Sequence, residues 1–312
     1  MNKVIVIAGP TATGKTALSV ALSKELGGEV VSADSVQIYK GLNIGSAKPT
    51  KEEMQGVPHH MMDILEPDDS FSVANFCARA KEVISEIQSR GKVPVVTGGT
   101  GLYISSLVDN VSFIQEETDK SVREKLAQEL ETFGKEAMHE RLTEIDPEAA
   151  ASIHPNNTKR VLRALEVFFA TGKTLTQQNA QSKLNKSPFH FVLLALTCQR
   201  DILYDRINRR VDGMVEQGLF EEVQSLLKRG VPANSQSMQG IGYKEAVQFL
   251  NGAVTREACI EKIKQNSRNY AKRQLTWLRR NGAIHWILWG KEPDFPAALQ
   301  NATEYLTAHG LG

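Results

Sequence analysis

Cysteine is scarce. Cys77, Cys198 and Cys259 are odd in number, far apart and lack CxxC spacing, which excludes a disulfide framework and predicts free thiols in a reducing cytoplasm. The seven histidines show no HxxxH spacing, so a protein-built zinc site is not expected. No apolar run approaches the ~20 residues that span a bilayer, so no membrane helix is expected either. The opening "MNKVIVIAG" is too short for a secretory core and runs straight into a loop; it reads as a first strand, and a cytoplasmic location follows. Net charge is also lacking, at +1. A balance near zero neither demands nor excludes a nucleic-acid partner, because the distribution of charge decides. No internal repeat is apparent.

What is present first is α/β texture. Residues 3–8 form an apolar strand, and a helix through "KTALSVALSKEL" stops at Gly27-Gly28. "EVVSAD" (29–34) is a second strand ending on an acid. A helix over 72–90 has Ser72 as N-cap and Gly91 as stop, and "VPVVTGG" (93–99) is another apolar strand. Near-continuous apolar strands alternating with helices imply a parallel sheet covered on both faces. After about 113 the texture turns helical. "DKSVREKLAQELETFG" places Val122, Leu126, Leu130 and Phe133 on one face, and short helices follow around 135–152. "NTKRVLRALEVFFATG" closes at Gly172, and "TLTQQNAQSKLNKSP" reads as a polar loop. "FHFVLLALT" (189–197) returns to strand. Helices over 200–229, 240–250 and 255–280 and a last strand "AIHWILW" complete the chain. The expected organisation is a P-loop α/β core, 1–112 with 188–312, carrying a small all-helical insertion, 113–187.

Gly9-Pro-Thr-Ala-Thr-Gly14-Lys15-Thr16 matches G-x-x-x-x-G-K-[ST] between an expected strand and an expected helix, the context the motif requires. Glycine geometry turns successive amides inward, the helix N-terminus adds its positive end and Lys15 neutralises phosphate charge. Thr16 is the expected Mg²⁺ ligand. The loop specifies a polyphosphate without singling out ATP. "VPVVTGGT" ends in Thr97 and two glycines, where a P-loop ATPase usually has an acid. Asp34 is left free to act on a second substrate. Two readings stand on these residues: a small-molecule or nucleotide kinase, or a transferase whose donor is itself a diphosphate. Charge is also uneven. Between Arg256 and Arg280 eight basic residues face two acidic ones, a local excess of +6; an RNA-binding module with a vestigial nucleotide site is a third reading.

"ADSVQIYKGLNIGSAKP" (33–49), "PHHMMDI" (58–64), "GGTGLY" (98–103), "HPNNTKRVLRALEVFFATGK" (154–173), "LYDRINRRVDGM" (203–214), "IGYKE" (241–245) and "AKRQLTWLR" (271–279) occur in this order. Together with the loop they resemble the tRNA dimethylallyltransferase (tRNA isopentenyltransferase) family, collinearly to about residue 280. The resemblance implies an enzyme that moves a dimethylallyl group from dimethylallyl diphosphate to N6 of the adenosine 3′ to the anticodon (position 37). The tRNAs implied are those reading codons that begin with U. It implies a monomer acting on an anticodon stem-loop with Mg²⁺ and no membrane partner. No zinc finger follows the core, as in bacterial-type members.

The resemblance also implies roles. The diphosphate is held by Gly9, Thr11, Ala12, Thr13, Gly14, Lys15 and Thr16, with Arg206 gripping the leaving group and Arg210 one turn beyond; for these arginines the alternative is a solvated helix face. Thr100 joins the catalytic set. Asp34 accepts a proton from the adenine amine, a poor nucleophile whose lone pair is delocalised; the alternative is a strand-end Asp capping the next turn. Ser35, Val36 and Gln37 are expected at the base or its neighbours. Arg123, Lys159, Arg160, Val161, Leu162 and Arg163 of the insertion, with Lys272 and Arg273 of the basic helix, are expected to meet RNA. Tyr270 and Trp277 read as core contacts, and His59-His60 as loop packing or substrate contact. Gly101 stands where the family often carries a larger residue, which leaves the depth of the allyl pocket open.

Overall fold

The computed structural model describes residues 2–111, 113, 120–184, 186–290 and 294–311. The chain forms two compact units, Met1–Leu107 with Pro188–Gly312 and Val108–Ser187. The first crossing thus falls before the 113 read from texture; residues 112 and 114–119 around that position lie outside the described residues.

In the larger unit six strands form one parallel sheet: β1 (Lys3–Ala8), β2 (Gly28–Ser32), β3 (His59–His60), β4 (Val93–Thr97), β5 (His190–Cys198) and β6 (His285–Trp289). Their order is β3-β2-β4-β1-β5-β6. Val4 to Ile7 are fully buried in succession, which requires helices over both faces. Ile5 and Ile7 pack with Leu18 and Leu22 of α1 (Lys15–Glu25), and with Ala298 and Ala302 of α13 (Phe295–Ala308). α2 (Lys51–Met54) and α3 (Val73–Ser89) follow, and Ser72 caps α3 through a reciprocal bond pair with Asn75. Then come α4 (Gly101–Val108), α9 (Arg200–Glu216), α10 (Leu219–Lys228), α11 (Tyr243–Leu250) and α12 (Arg256–Leu278).

The smaller unit holds α5 (Lys120–Ile145), α6 (Pro147–Ser152), α7 (Thr158–Thr171) and α8 (Leu175–Leu184). Its core joins Leu126, Met138, Leu142, Val161 and Leu165.

Several boundaries differ from expectation for identifiable reasons. β2 stops at Ser32, because Asp34 turns out of the ladder to cap the following turn. The expected 200–229 helix breaks at Gly218 (φ 99°). Gly134 (φ 81°, ψ 171°) interrupts α5 as its glycine implied, but Phe133 beside it is 67% exposed and not on the core. The "polar loop" after Gly172 is α8. Thr174 and Gln177 cap each other, and the Asp146 carboxylate accepts from the Thr176 amide and hydroxyl at 3.0 and 2.6 Å. β3 is two residues long, too short for periodicity to register. α13 had a legible start, with Asp294 as N-cap and Pro296 in the first turn.

Candidate active site

The phosphate loop runs from the end of β1 into α1. Ala12 (φ 64°) and Gly14 (φ 81°) take left-handed conformations, and this alternation of backbone hand curls amides into an anion-binding concavity. A side chain at Gly9 would place Cβ 2.5 Å from the Leu196 carbonyl oxygen, so Gly9 lets the loop leave the sheet close to β5. Thr13 Oγ1 donates to the Pro10 carbonyl at 2.8 Å, and the buried Trp289 indole donates to the Thr13 carbonyl at 2.7 Å. Lys15 Nζ donates to the Pro10 carbonyl at 2.8 Å, and Arg210 Nη1 donates to Thr11 Oγ1 at 3.1 Å. Loss of hydration pulls the Lys15 ammonium down to about 7; Arg210's charge pushes the same way and Asp34 opposes it. Desolvation likewise lowers Arg210, against Asp34 and Glu53. Two buried cations this close together favour a polyanion between them.

A cavity of about 690 Å³ opens beside this loop. Thr11 to Thr16 line it with Asp34, Gln37, Arg210, Tyr270 and Gln274, and residues 43–50 supply another wall. Asp34 caps the turn that follows it, the alternative its strand-end position offered. Oδ1 accepts from the Val36 and Gln37 amides at 2.8 and 3.2 Å, and among the described residues no hydrogen bond ends on Oδ2. Thr100 braces the same turn: its Oγ1 accepts from the Ser35 amide at 3.2 Å and its amide donates to the Ala33 carbonyl at 3.3 Å. Tyr270 is not simple core. It borders the cavity, donates to the Gly99 carbonyl at 3.3 Å, and its phenol is pushed up to about 12, by burial first and the Asp34 charge next.

Other expected contacts are used differently. The Gln37 amide does not face a base freely: Nε2 donates to the Ser46 and Ala47 carbonyls at 3.3 and 3.2 Å, and Oε1 accepts from Ser32 Oγ at 3.1 Å. Gln37 therefore holds the 43–50 wall. Arg206 is not among the lining residues; it reaches the Cys198 thiol, and its Nη1 is buried without a hydrogen-bond partner. Arg210 is the arginine of α9 that lines the cavity. Gly101 does not set cavity depth, since a Cβ there would lie 2.7 Å from the Trp277 ring. His60 is structural, at 2.7 Å from Glu29. His59 lines the cavity; Nδ1 meets the Val57 carbonyl at 2.8 Å and its buried Nε2 has no partner.

In the insertion unit Val161 is 1% exposed within the core, so its side chain is not presented for RNA, while Leu162 is half-buried against that core. Lys159 and Arg160 are exposed. Arg123 and Arg163 converge on buried Glu166, at 2.9 and 3.2 Å on its two oxygens. On the larger unit Lys272 and Arg273 are exposed on α12 beside Trp277 and Arg280, lining a separate groove of about 460 Å³.

Residues that sequence reading missed share one property: they act on distant backbone. The Glu222 carboxylate accepts from the Asn43, Ile44 and Gly45 amides at 2.9, 2.8 and 3.2 Å and from Tyr243 Oη at 2.7 Å, pinning the cavity wall. Gln274 and Trp289 do the same for the phosphate loop. No short motif spacing signals such contacts.

The sequence pattern of one family, described as IPP transferase, matches residues 37–281. The chain belongs to the IPP transferase family. The match starts just after Asp34, so relatives must carry the comparison across the phosphate loop. A tRNA dimethylallyltransferase of Halalkalibacterium halodurans is 50% identical over 286 residues, 92% of this chain and 91% of that protein. The crystal structure of a full-length tRNA isopentenylpyrophosphate transferase from Bacillus halodurans aligns with a TM-score of 0.75 at 45% identity, covering 99% of this chain and 96% of that one. A eukaryotic dimethylallyltransferase acting on tRNA aligns with a TM-score of 0.84 at 29% identity, covering 99% and 80%. Family membership disfavours the kinase reading, in line with β4 ending in Thr97 and not in an acid.

Proposed function

We propose that this enzyme transfers a dimethylallyl group from dimethylallyl diphosphate to N6 of the adenosine 3′ to the anticodon of tRNA. The observation that carries the reading is one cavity holding both a phosphate cradle and a carboxylate with an unengaged oxygen. As the allylic C–O bond breaks, its electron pair passes to the diphosphate. The loop amides, Lys15 and Arg210 face that growing charge and stabilise the transition state more than the bound donor. Asp34 Oδ2 accepts a proton from N6 as the new N–C bond forms, while Oδ1 keeps the carboxylate oriented. Thr100 holds the Asp34 turn, and release of diphosphate with one proton balances the reaction.

Thr16 and Asp34 offer hard oxygen donors in the cavity, and no cluster of three His, Cys, Asp or Glu stands among the described residues. That donor set fits a Mg²⁺ retained through Thr16 and substrate phosphate, where it would supply further charge to the leaving group. Among the described residues no helix is long and apolar enough to cross a membrane, and a cytoplasmic site of action suits a tRNA substrate.

The test is transfer of labelled dimethylallyl to an anticodon stem-loop carrying that adenosine, run beside ATP hydrolysis on one preparation. The expected result is labelled RNA without ATP consumption. Unlabelled RNA in the presence of Mg²⁺ would overturn the reading.

A further inference from the structure

Gln274 is 5% exposed, and both ends of its amide are engaged by backbone. Oε1 accepts from the Thr11 amide at 3.0 Å, and Nε2 donates to the Gly99 carbonyl at 2.8 Å. The partners settle the orientation of the amide, because a backbone N–H only donates and a carbonyl only accepts. Tyr270, one turn earlier on α12, donates to the same carbonyl. A Cβ at Gly99 would lie 2.2 Å from Nε2, so glycine at 99 answers the approach of Gln274. Thr11 belongs to the phosphate cradle. Gly99 precedes Thr100, which braces the turn carrying Asp34. One side chain therefore spans the two halves of the site.

We propose that Gln274 is a positioning residue for the transfer reaction, holding the phosphate loop and the Gly98–Thr100 turn at a fixed separation. The inference rests on the transfer reading above. Each half recognises its own substrate: loop amides, Lys15 and Arg210 for the diphosphate, Asp34 for the adenine amine. Loosening the tie leaves those contacts intact but moves the attacking nitrogen relative to the allylic carbon. A displacement of ~1 Å costs on the order of 10²-fold in rate. The signature is a loss in kcat with little change in affinity.

Gln274→Met keeps the length of the side chain and removes both hydrogen bonds. Gln274→Glu keeps an acceptor for Thr11 but sets oxygen against the Gly99 carbonyl. Gly99→Ala pushes Nε2 away from the other side and serves if Gln274→Met does not fold. Single-turnover transfer, melting temperature and the dissociation constants for pyrophosphate and the stem-loop are measured for each. For Gln274→Met the expected result is a rate lowered about 30- to 100-fold, with both constants within about three-fold. Gln274→Glu and Gly99→Ala are expected to show comparable rate losses. An unchanged rate, a loss matched by weaker binding, or full recovery in Gln274→Glu would each overturn the proposal. If the parent chain itself leaves the stem-loop unlabelled, the transfer reading fails; if it transfers and Gln274→Met equals it, only the tie fails.

Discussion

At Asp34 the two carboxylate oxygens are separated by task, one holding the turn and one left for the substrate. Asparagine can keep the turn bonds through its carbonyl oxygen but cannot take a proton. Asp34→Asn is therefore expected to lower single-turnover transfer by about 10²–10⁴-fold, with melting temperature and stem-loop affinity nearly unchanged. Lys15 sets the pH response. Its folded value, about 7, lies below the ordinary 10.5, so folding disfavours the charged form. That penalty is complete below pH 7 and fades as pH rises toward 10.5. Lys15→Met should raise the melting temperature of the empty protein most at or below pH 7, by about 2–4 °C per kcal/mol recovered, with a shrinking gain above. Above pH 7 a bound polyanion must bring a proton onto Lys15. Pyrophosphate binding should then show proton uptake in calorimetry across buffers of different ionisation heat, and Lys15→Met should lose that component.

At the scale of elements, α12 carries different work on its two sides. Gln274 is buried against the loops, Tyr270 borders the cavity, and Lys272 and Arg273 are exposed. Its close approach to α4 depends on Gly101, where any Cβ would press on the Trp277 ring. Gly101 opens α4, so Gly101→Ala gains less than the roughly 1 kcal/mol of helix propensity an interior site would give. Overpacking in tight contacts costs about 1–3 kcal/mol, so a net loss is expected, read as a lower melting temperature and altered tryptophan fluorescence. The motif position of Gly101 says nothing about which helix lies against it; the structure shows that it is α12, through Trp277. Strands and helices with local punctuation were legible: Ser72 and Gly91 around α3, Gly172 after α7. α8 was missed because its polar face carries no apolar periodicity; its Thr174–Gln177 cap is local, while its further support from Asp146 comes from 30 residues away.

For the molecule as a whole, near-neutral net charge conceals an exposed basic stretch on α12. Each phosphate neutralised by a lysine or arginine releases counterions, so Lys272→Ala and Arg273→Ala should each reduce the slope of log K against log salt by about 1 for stem-loop binding. Pyrophosphate affinity should stay unchanged, because neither residue lines the phosphate cavity. A titration at several salt concentrations checks this.

The phosphate cradle, its lack of a strand-end acid and the candidate base were readable along the chain, because loop geometry and strand–helix order are local properties of closely spaced residues. The division of labour inside the cavity was not. Gln274 meets Thr11 across 263 residues and Trp289 meets Thr13 across 276. Gln37 turned out to be a brace because carbonyls at 46 and 47 fold over it. Val161 looked available beside three cations, yet the insertion core claims it. Which polar groups remain free for a substrate depends on which ones the folded backbone has already satisfied, and only the tertiary structure decides that.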